Sequence, residues 1–239
     1  MAGAITGCQG CADYGAGAAS VLEPVARGLL ARSPPSHFGR ALAIIGHMEI
    51  ETMNYEAVLF DCDGVLVDSE PITNGVLRDM LEERGWAMTQ EECEARFIGR
   101  AVREQRAEIE ARTGLPFTEE WLQSFYVRRN AALEARLTAI AHIHETVARV
   151  HRACEGRMAC ASGADRGKVE LQLRKVGLYG YFEGRIFSGH ETPRSKPHPD
   201  VYLAAAAALG VAAEGCAVVE DTVAGVQAGV AAGARVFAY

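Results

Sequence analysis

The sequence is most constrained by a short apolar run, Ala57-Val58-Leu59-Phe60, that stops at Asp61-Cys62-Asp63-Gly64. A continuous apolar segment of this length reads as a strand buried on both faces, the kind found in parallel sheets. In an open α/β sheet, ligands bind outside the carboxyl ends of the strands, so Asp61 and Asp63 are expected together at the mouth of a site. Two carboxylates held so close repel each other, and a hard oxygen-seeking cation such as Mg²⁺ relieves the repulsion. One of them can also attack an electrophile and form a covalent intermediate.

The rest of the chain repeats that pattern. Further strands are expected at Met158–Ala161, Arg185–Phe187, Cys216–Val219 and Arg235–Ala238, with helices over Asp165–Val176, Pro199–Leu209 and Val223–Ala232. Gly177, Gly210 and Gly233 stand just past the ends of those helices, where glycine stops a helix cheaply. Alternating strands and helices imply a mostly parallel sheet with right-handed crossovers. Between Ser69 and Leu137 no strand-like run occurs. Helices are expected there after Pro71, then over Glu91–Phe97, Ala101–Arg112 and Glu119–Leu137, with Thr118 capping the last. The expected fold class is α/β: a Rossmann-like parallel-sheet core from residues 54–68 and 138–239, with residues 69–137 inserted as a helical cap domain.

Three more stretches carry candidate chemistry. In Cys160-Ala161-Ser162-Gly163-Ala164-Asp165, a strand runs into Ser162 and a helix follows Gly163. The serine hydroxyl and the free N–H groups of such a turn suit a phosphate oxygen. In Arg194-Ser195-Lys196-Pro197-His198-Pro199, Lys196 is a compact positive charge between prolines that fix the turn. It is one of three lysines in the chain, with Lys168 and Lys175. In Val218-Val219-Glu220-Asp221-Thr222, another apolar strand ends in paired acids; Glu220 and Asp221 can complete a Mg²⁺ shell with Asp61 and the Asp63 carbonyl.

These four elements, in this order, resemble the signatures of the haloacid dehalogenase-like hydrolases: DxD, then Ser, then Lys-Pro, then an acidic pair. The resemblance covers about Asn54 to Tyr239, and the insertion is similar to the helical cap of the β-phosphoglucomutase and phosphoglycolate-phosphatase-like subgroup. It implies a Mg²⁺-dependent phosphatase acting on a small phosphorylated metabolite. Asp61 would be the nucleophile and Asp63 the acid and then base. Ser162, Gly163 and Lys196 would hold the phosphoryl oxygens. Asp61, Asp63, Glu220 and Asp221 would hold the metal. Arg100 and Arg103, in the cap stretch that faces substrate in such enzymes, would grip a carboxylate or second anionic group. Asp63 argues against a dehalogenase. The absence of lysine between Ser69 and Leu137 argues against a Schiff-base phosphonatase. A mutase of sugar phosphates is the alternative, but its cap lysine and early histidine are replaced here by Ile98 before Gly99 and by Pro71-Ile72-Thr73. Local likeness is to bacterial 6-phosphogluconate and related sugar-phosphate phosphatases. A non-catalytic scaffold is the rival from another class, and the retained Asp61, Asp63, Lys196 and Asp221 speak against it. The Pro-Gly that usually opens the core after the cap is replaced by Ala141-His142-Ile143; His142 and His144 receive no catalytic role.

Composition narrows the setting. The 239 residues are enough for one large or two modest domains, and the net charge of −7 argues against nucleic acid as a partner. No apolar run reaches the roughly 18 residues that span a bilayer. Cys62, Cys160 and Cys216 lie in or beside strand-like runs, as reduced buried thiols do, so a reducing, cytoplasmic setting is expected. Separately, a monomer or weak homodimer is expected, a point on which the sequence itself is silent. Residues 1–53 differ in character, with a Gly- and Ala-rich start, a lone Cys8/Cys11 pair lacking metal-ligand partners, and a Ser33-Pro34-Pro35-Ser36 break. They are expected to be a disordered or artefactual extension ahead of Met53. The core is expected to be truncated at its C-terminus, because the resemblance implies a further strand and helix after Tyr239, and an exposed sheet edge would follow.

Overall fold

The computed structural model describes residues 55–238; the expectations for residues 1–53 and for the Cys8/Cys11 pair lie outside them. Five parallel strands form one sheet: β1 (Ala57–Phe60), β2 (Met158–Ser162), β3 (Ile186–Ser188), β4 (Cys216–Glu220) and β5 (Arg235–Ala238), in the order β3-β2-β1-β4-β5. β1 is central, with Leu59 opposite Ala159 on one side and Val218 on the other. The strand order reverses beside β1, which makes the carboxyl ends of β1, β2 and β4 the place for a ligand.

Side-chain alternation along β1 feeds two apolar layers. Val58 and Phe60 face a cluster with α5 (Ile143–Ala153), α6 (Arg166–Lys175) and the short α7 (Tyr179–Phe182). Ala57 and Leu59 face a cluster with α8 (Asp200–Ala208) and α9 (Val223–Ala231). Phe60 and Phe182 meet edge to face at 6.1 Å. Each such fully buried side chain contributes roughly 1.5–3 kcal/mol, so the sandwiched sheet is a rigid base for the loops at its carboxyl edge.

Residues between β1 and α5 form α1 (Glu70–Glu82), α2 (Gln90–Phe97), a 3₁₀ turn at Val102–Gln105, α3 (Arg106–Thr113) and α4 (Glu119–Arg136). These helices bury their own cluster, including Leu77, Leu81, Ile109, Leu122 and Phe125. Their starts follow local chemistry. Pro71 sits in the first turn of α1, Thr89 and Glu92 make a reciprocal capping box at α2, and the Thr118 side chain accepts from the Trp121 N–H at α4. The single helix expected over Ala101–Arg112 is divided at Arg106 into the 3₁₀ turn and α3. The expected helix set also lacked α5, which the structure places between the insertion and β2. β5 is an edge strand with Arg235 and Ala238 exposed. Among the described residues, no helix is long and apolar enough to cross a membrane.

Candidate active site

Four loops at the carboxyl edge of the sheet, together with α1 and α4 and the loop after α2, line one cleft containing Asp61, Asp63, Ser162, Gly163 and Lys196. Asp61 continues β1 by one residue, its N–H bonded to the Val219 carbonyl at 3.0 Å. Its carboxylate is buried, and Oδ1 accepts from the Lys196 ammonium at 2.7 Å. The same ammonium donates to Glu220 Oε1 at 2.6 Å, and the Tyr202 hydroxyl donates to that oxygen at 2.7 Å. Burial would lower the Lys196 pKa, but the charges of Asp61 and Glu220 raise it well above its ordinary value, so the lysine stays cationic.

Carboxyl oxygens of Asp61, Glu220 and Asp221 converge within 4.8 Å of one another. Burial and the neighbouring Glu220, Glu70 and Asp63 push the Asp221 pKa up to about 7. Asp61 is likewise raised well above its ordinary range, by burial first, against the lowering effect of Lys196. Asp221 Oδ1 is buried, and among the described residues no hydrogen-bond donor reaches it. A buried acid oxygen without a donor, inside a surplus of negative charge, fits a hard cation with oxygen ligands. Glu220 contributes differently. Beyond the two donors on Oε1, its Oε2 accepts from the N–H groups of Asp221 and Thr222 and from the Thr222 hydroxyl. Its lone pairs are taken, so its firmest role here is to hold Lys196, and it would have to release a donor to ligate a metal.

Two glycines make these approaches possible. Gly64 has φ +75°, and a Cβ there would fall 1.9 Å from Asp221 Oδ2. At Gly225, in the first turn of α9, a Cβ would fall 1.7 Å from Glu220 Oε1. The glycines following each acidic strand end are thus sites of close packing as well as turn formation.

Ser162 ends β2, is buried, and its hydroxyl accepts from the Ala164 N–H at 3.1 Å. Gly163 lines the same cleft. The two arginines expected in the cap part company. Arg100 lines the cleft, whereas Arg103 makes a two-pronged, half-exposed ion pair with Glu119 at 2.8 and 3.1 Å. In this structure that intramolecular carboxylate takes the guanidinium fork, and Arg103 is not among the residues lining the cleft. Neither His142 nor His144 lines the cleft; His144 bonds the Val176 carbonyl at 2.7 Å.

Two basic residues in the cleft were not singled out from the sequence as parts of the site. Lys168 is buried on α6 and donates to both oxygens of Asp63, at 2.8 and 2.9 Å. Arg129 is buried on α4, pairs with Asp165 at 3.2 Å, and stacks its guanidinium 4.8 Å from the Tyr126 ring centre. The signal for Arg129 was present: Leu122, Phe125, Arg129 and Leu133 share one buried stripe, and an arginine among apolar positions at helical spacing marks a charge turned inward. Lys168 follows Ser162 by less than two helical turns, in a chain with three lysines.

Comparison with known proteins agrees with this geometry. A family profile described as haloacid dehalogenase-like hydrolase matches residues 55–233. The 6-phosphogluconate phosphatase of Escherichia coli K12 is 34% identical over 183 residues, covering 76% of this chain and 81% of that protein. Hexitol phosphatase A of the same organism is 30% identical over 197 residues, covering 78% and 83%. A crystal structure of a haloacid dehalogenase family hydrolase from Deinococcus radiodurans, with bound phosphate and sodium, superposes with a TM-score of 0.63 at 37% identity, covering 78% of this chain and 81% of that one. With its parallel sheet, inserted helices and matched family profile, this chain belongs to the haloacid dehalogenase-like hydrolase family.

Proposed function

We propose that this hydrolase is a Mg²⁺-dependent phosphatase that releases phosphate from a small phosphorylated metabolite, a sugar phosphate or sugar-acid phosphate, through an aspartyl-phosphate intermediate. The observation that carries this proposal is the pairing at the end of β1. Asp61 is held by Lys196, and Asp63 stands two residues on in the same cleft. The Escherichia coli relatives, named for a sugar-acid phosphate and for hexitols, support the substrate class.

Asp61 would attack phosphorus while the leaving oxygen takes a proton from Asp63. Against the raising effect of burial, Lys168, Ser69 and Gln172 hold the Asp63 pKa below its ordinary value, so Asp63 would take up that proton from solvent as the substrate's negative charge enters the site. Asp63 would then accept a proton from the water that splits the aspartyl phosphate. Lys196, Ser162 and the N–H groups after Gly163 would neutralise and orient the phosphoryl oxygens. Mg²⁺, held by Asp61, Asp221 and the Asp63 carbonyl, with Glu220 within reach, would supply positive charge for the carboxylates and the transferring group. Arg100 and Arg129 would meet an anionic or hydroxyl-bearing far end of the substrate.

The test is phosphate release from a panel containing 6-phosphogluconate, phosphoglycolate, hexose phosphates and β-glucose 1-phosphate, with Mg²⁺ and with EDTA. Mg²⁺-dependent release, abolished by EDTA and by Asp61→Asn, is expected. Substantial turnover by a clean Asp61→Asn preparation would refute the nucleophile, and no release from any member would refute the phosphatase.

A further inference from the structure

Each of the two aspartates after β1 has its own buried lysine. Lys196 serves Asp61, and Lys168 serves Asp63. The second pairing belongs to a cradle. Gln172 Nε2 donates to Asp63 Oδ1 at 2.8 Å, and the Ser69 hydroxyl donates to the same oxygen. Lys168 and Gln172 are four residues apart, so α6 presents both from one face. Cys62, between the two aspartates, donates its S–H to Gln172 Oε1 at 3.4 Å, which turns the amide so that Nε2 points at Asp63. The helix is itself anchored: Asp165 Oδ1 caps the Lys168 N–H at 2.9 Å, and its Oδ2 receives Arg129. Lys168, Gln172, Ser69 and Cys62 are all buried.

We propose that Lys168 is a positioning residue that, with Gln172 and Ser69, fixes the Asp63 carboxylate where it can exchange a proton with the leaving group and then with water. This rests on the phosphatase reading above. A carboxylate three residues past a strand end, on a loop, has rotamer freedom. A general acid–base must stay within hydrogen-bond reach of the atom it serves, and small misplacements are costly in rate. Both side-chain hydrogen bonds that the Lys168 ammonium makes among the described residues go to Asp63, so its effect is expected to run through that carboxylate.

The experiment is a double-mutant cycle. Lys168→Met, Asp63→Asn and the double variant are compared with wild type for kcat and KM on the best substrate of the panel, with Lys168→Arg as the conservative variant. Lys168→Met is expected to lower kcat by roughly 10- to 100-fold, a share of the general acid–base contribution, with KM changed less than about threefold. Lys168→Arg is expected to recover part of that loss. In the Asp63→Asn background, Lys168→Met is expected to cost less than about twofold, because its partner is already gone. Where thermal melts show Lys168→Met to be misfolded, Gln172→Leu carries the same cycle with a smaller loss of the same kind. Unchanged kcat, a loss confined to KM, or an equal loss in the Asp63→Asn background would each overturn the proposal while leaving the phosphatase intact. Absence of turnover by the wild type would overturn both.

Discussion

His142 is one of two described non-glycine residues, with Glu155, whose backbone has positive φ. It precedes α5 with φ 64°, in the left-handed region that favours glycine. The cost for a residue with a Cβ is about 1 kcal/mol, although histidine tolerates this region better than most. His142→Gly is therefore expected to stabilise the protein by up to about 0.6 kcal/mol, net of the roughly 0.4–1 kcal/mol that glycine costs through its greater unfolded-state freedom. That is a rise of up to roughly 2 °C in a thermal melt for a chain of this size. Because His142 lies outside the cleft, phosphate release is expected to be unchanged. The Pro-Gly that the family resemblance leads one to expect here would place glycine at the position whose backbone has φ 64° in this chain, which gives that glycine a conformational reason.

Elements matter through how closely their ends approach. α9 starts at Thr222, whose hydroxyl accepts from the Gly225 N–H at 3.1 Å, and Gly225 passes directly over Glu220. In an open helix, Gly→Ala would gain about 1 kcal/mol. Here the new methyl would meet a fully buried carboxylate, and overpacking of that kind costs about 1–3 kcal/mol. Overpacking wins. Gly225→Ala is expected to lower the melting temperature, displace Glu220 from Lys196 and reduce kcat at least tenfold, read by thermal melt and steady-state kinetics. α9 itself was legible from its strand–acid–glycine pattern, and so was the Thr118 cap of α4. The break at Arg106 was not, because Val102 and Ile109 both face the insertion's core and keep a helix-like spacing across the 3₁₀ turn. α5 was absent from the expected helices although Ile143, Val147 and Val150 recur at helical spacing on its buried side.

At the scale of the whole molecule, folding gathers acids that repel one another. The carboxylates of Asp63, Glu220 and Asp221 each push the Asp61 pKa upward, and the proposed cation, binding only the folded chain, would relieve that repulsion. Mg²⁺ at a hundredfold excess over its dissociation constant should add about 2.7 kcal/mol. That corresponds to a rise of roughly 5–10 °C in the melting temperature. Asp221→Asn removes one repelling charge and one ligand. The metal-free variant is expected to melt above the metal-free wild type and to lose most of the Mg²⁺-dependent rise, measured by calorimetry with and without EDTA. A Mg²⁺ rise undiminished in Asp221→Asn would remove Asp221 from the metal shell.

What the sequence determined by itself was local: which runs are apolar enough to be strands, which acids, serine and lysine stand at their carboxyl ends, and which glycines and caps begin and end the helices. Those properties depend on neighbours a few residues away, so Asp61, Asp63, Ser162, Lys196 and Asp221 could be placed at one sheet edge before any coordinates were known. Only the tertiary structure decided the partners. It joined Lys168 to Asp63 across 105 residues, turned Arg129 inward from α4, and gave Arg103 to Glu119. A charged side chain on a helix reads the same in sequence whether it faces water or a carboxylate. The choice is made when two helices and a strand end are brought together, because a buried charge is tolerated only where its counter-charge is already in place.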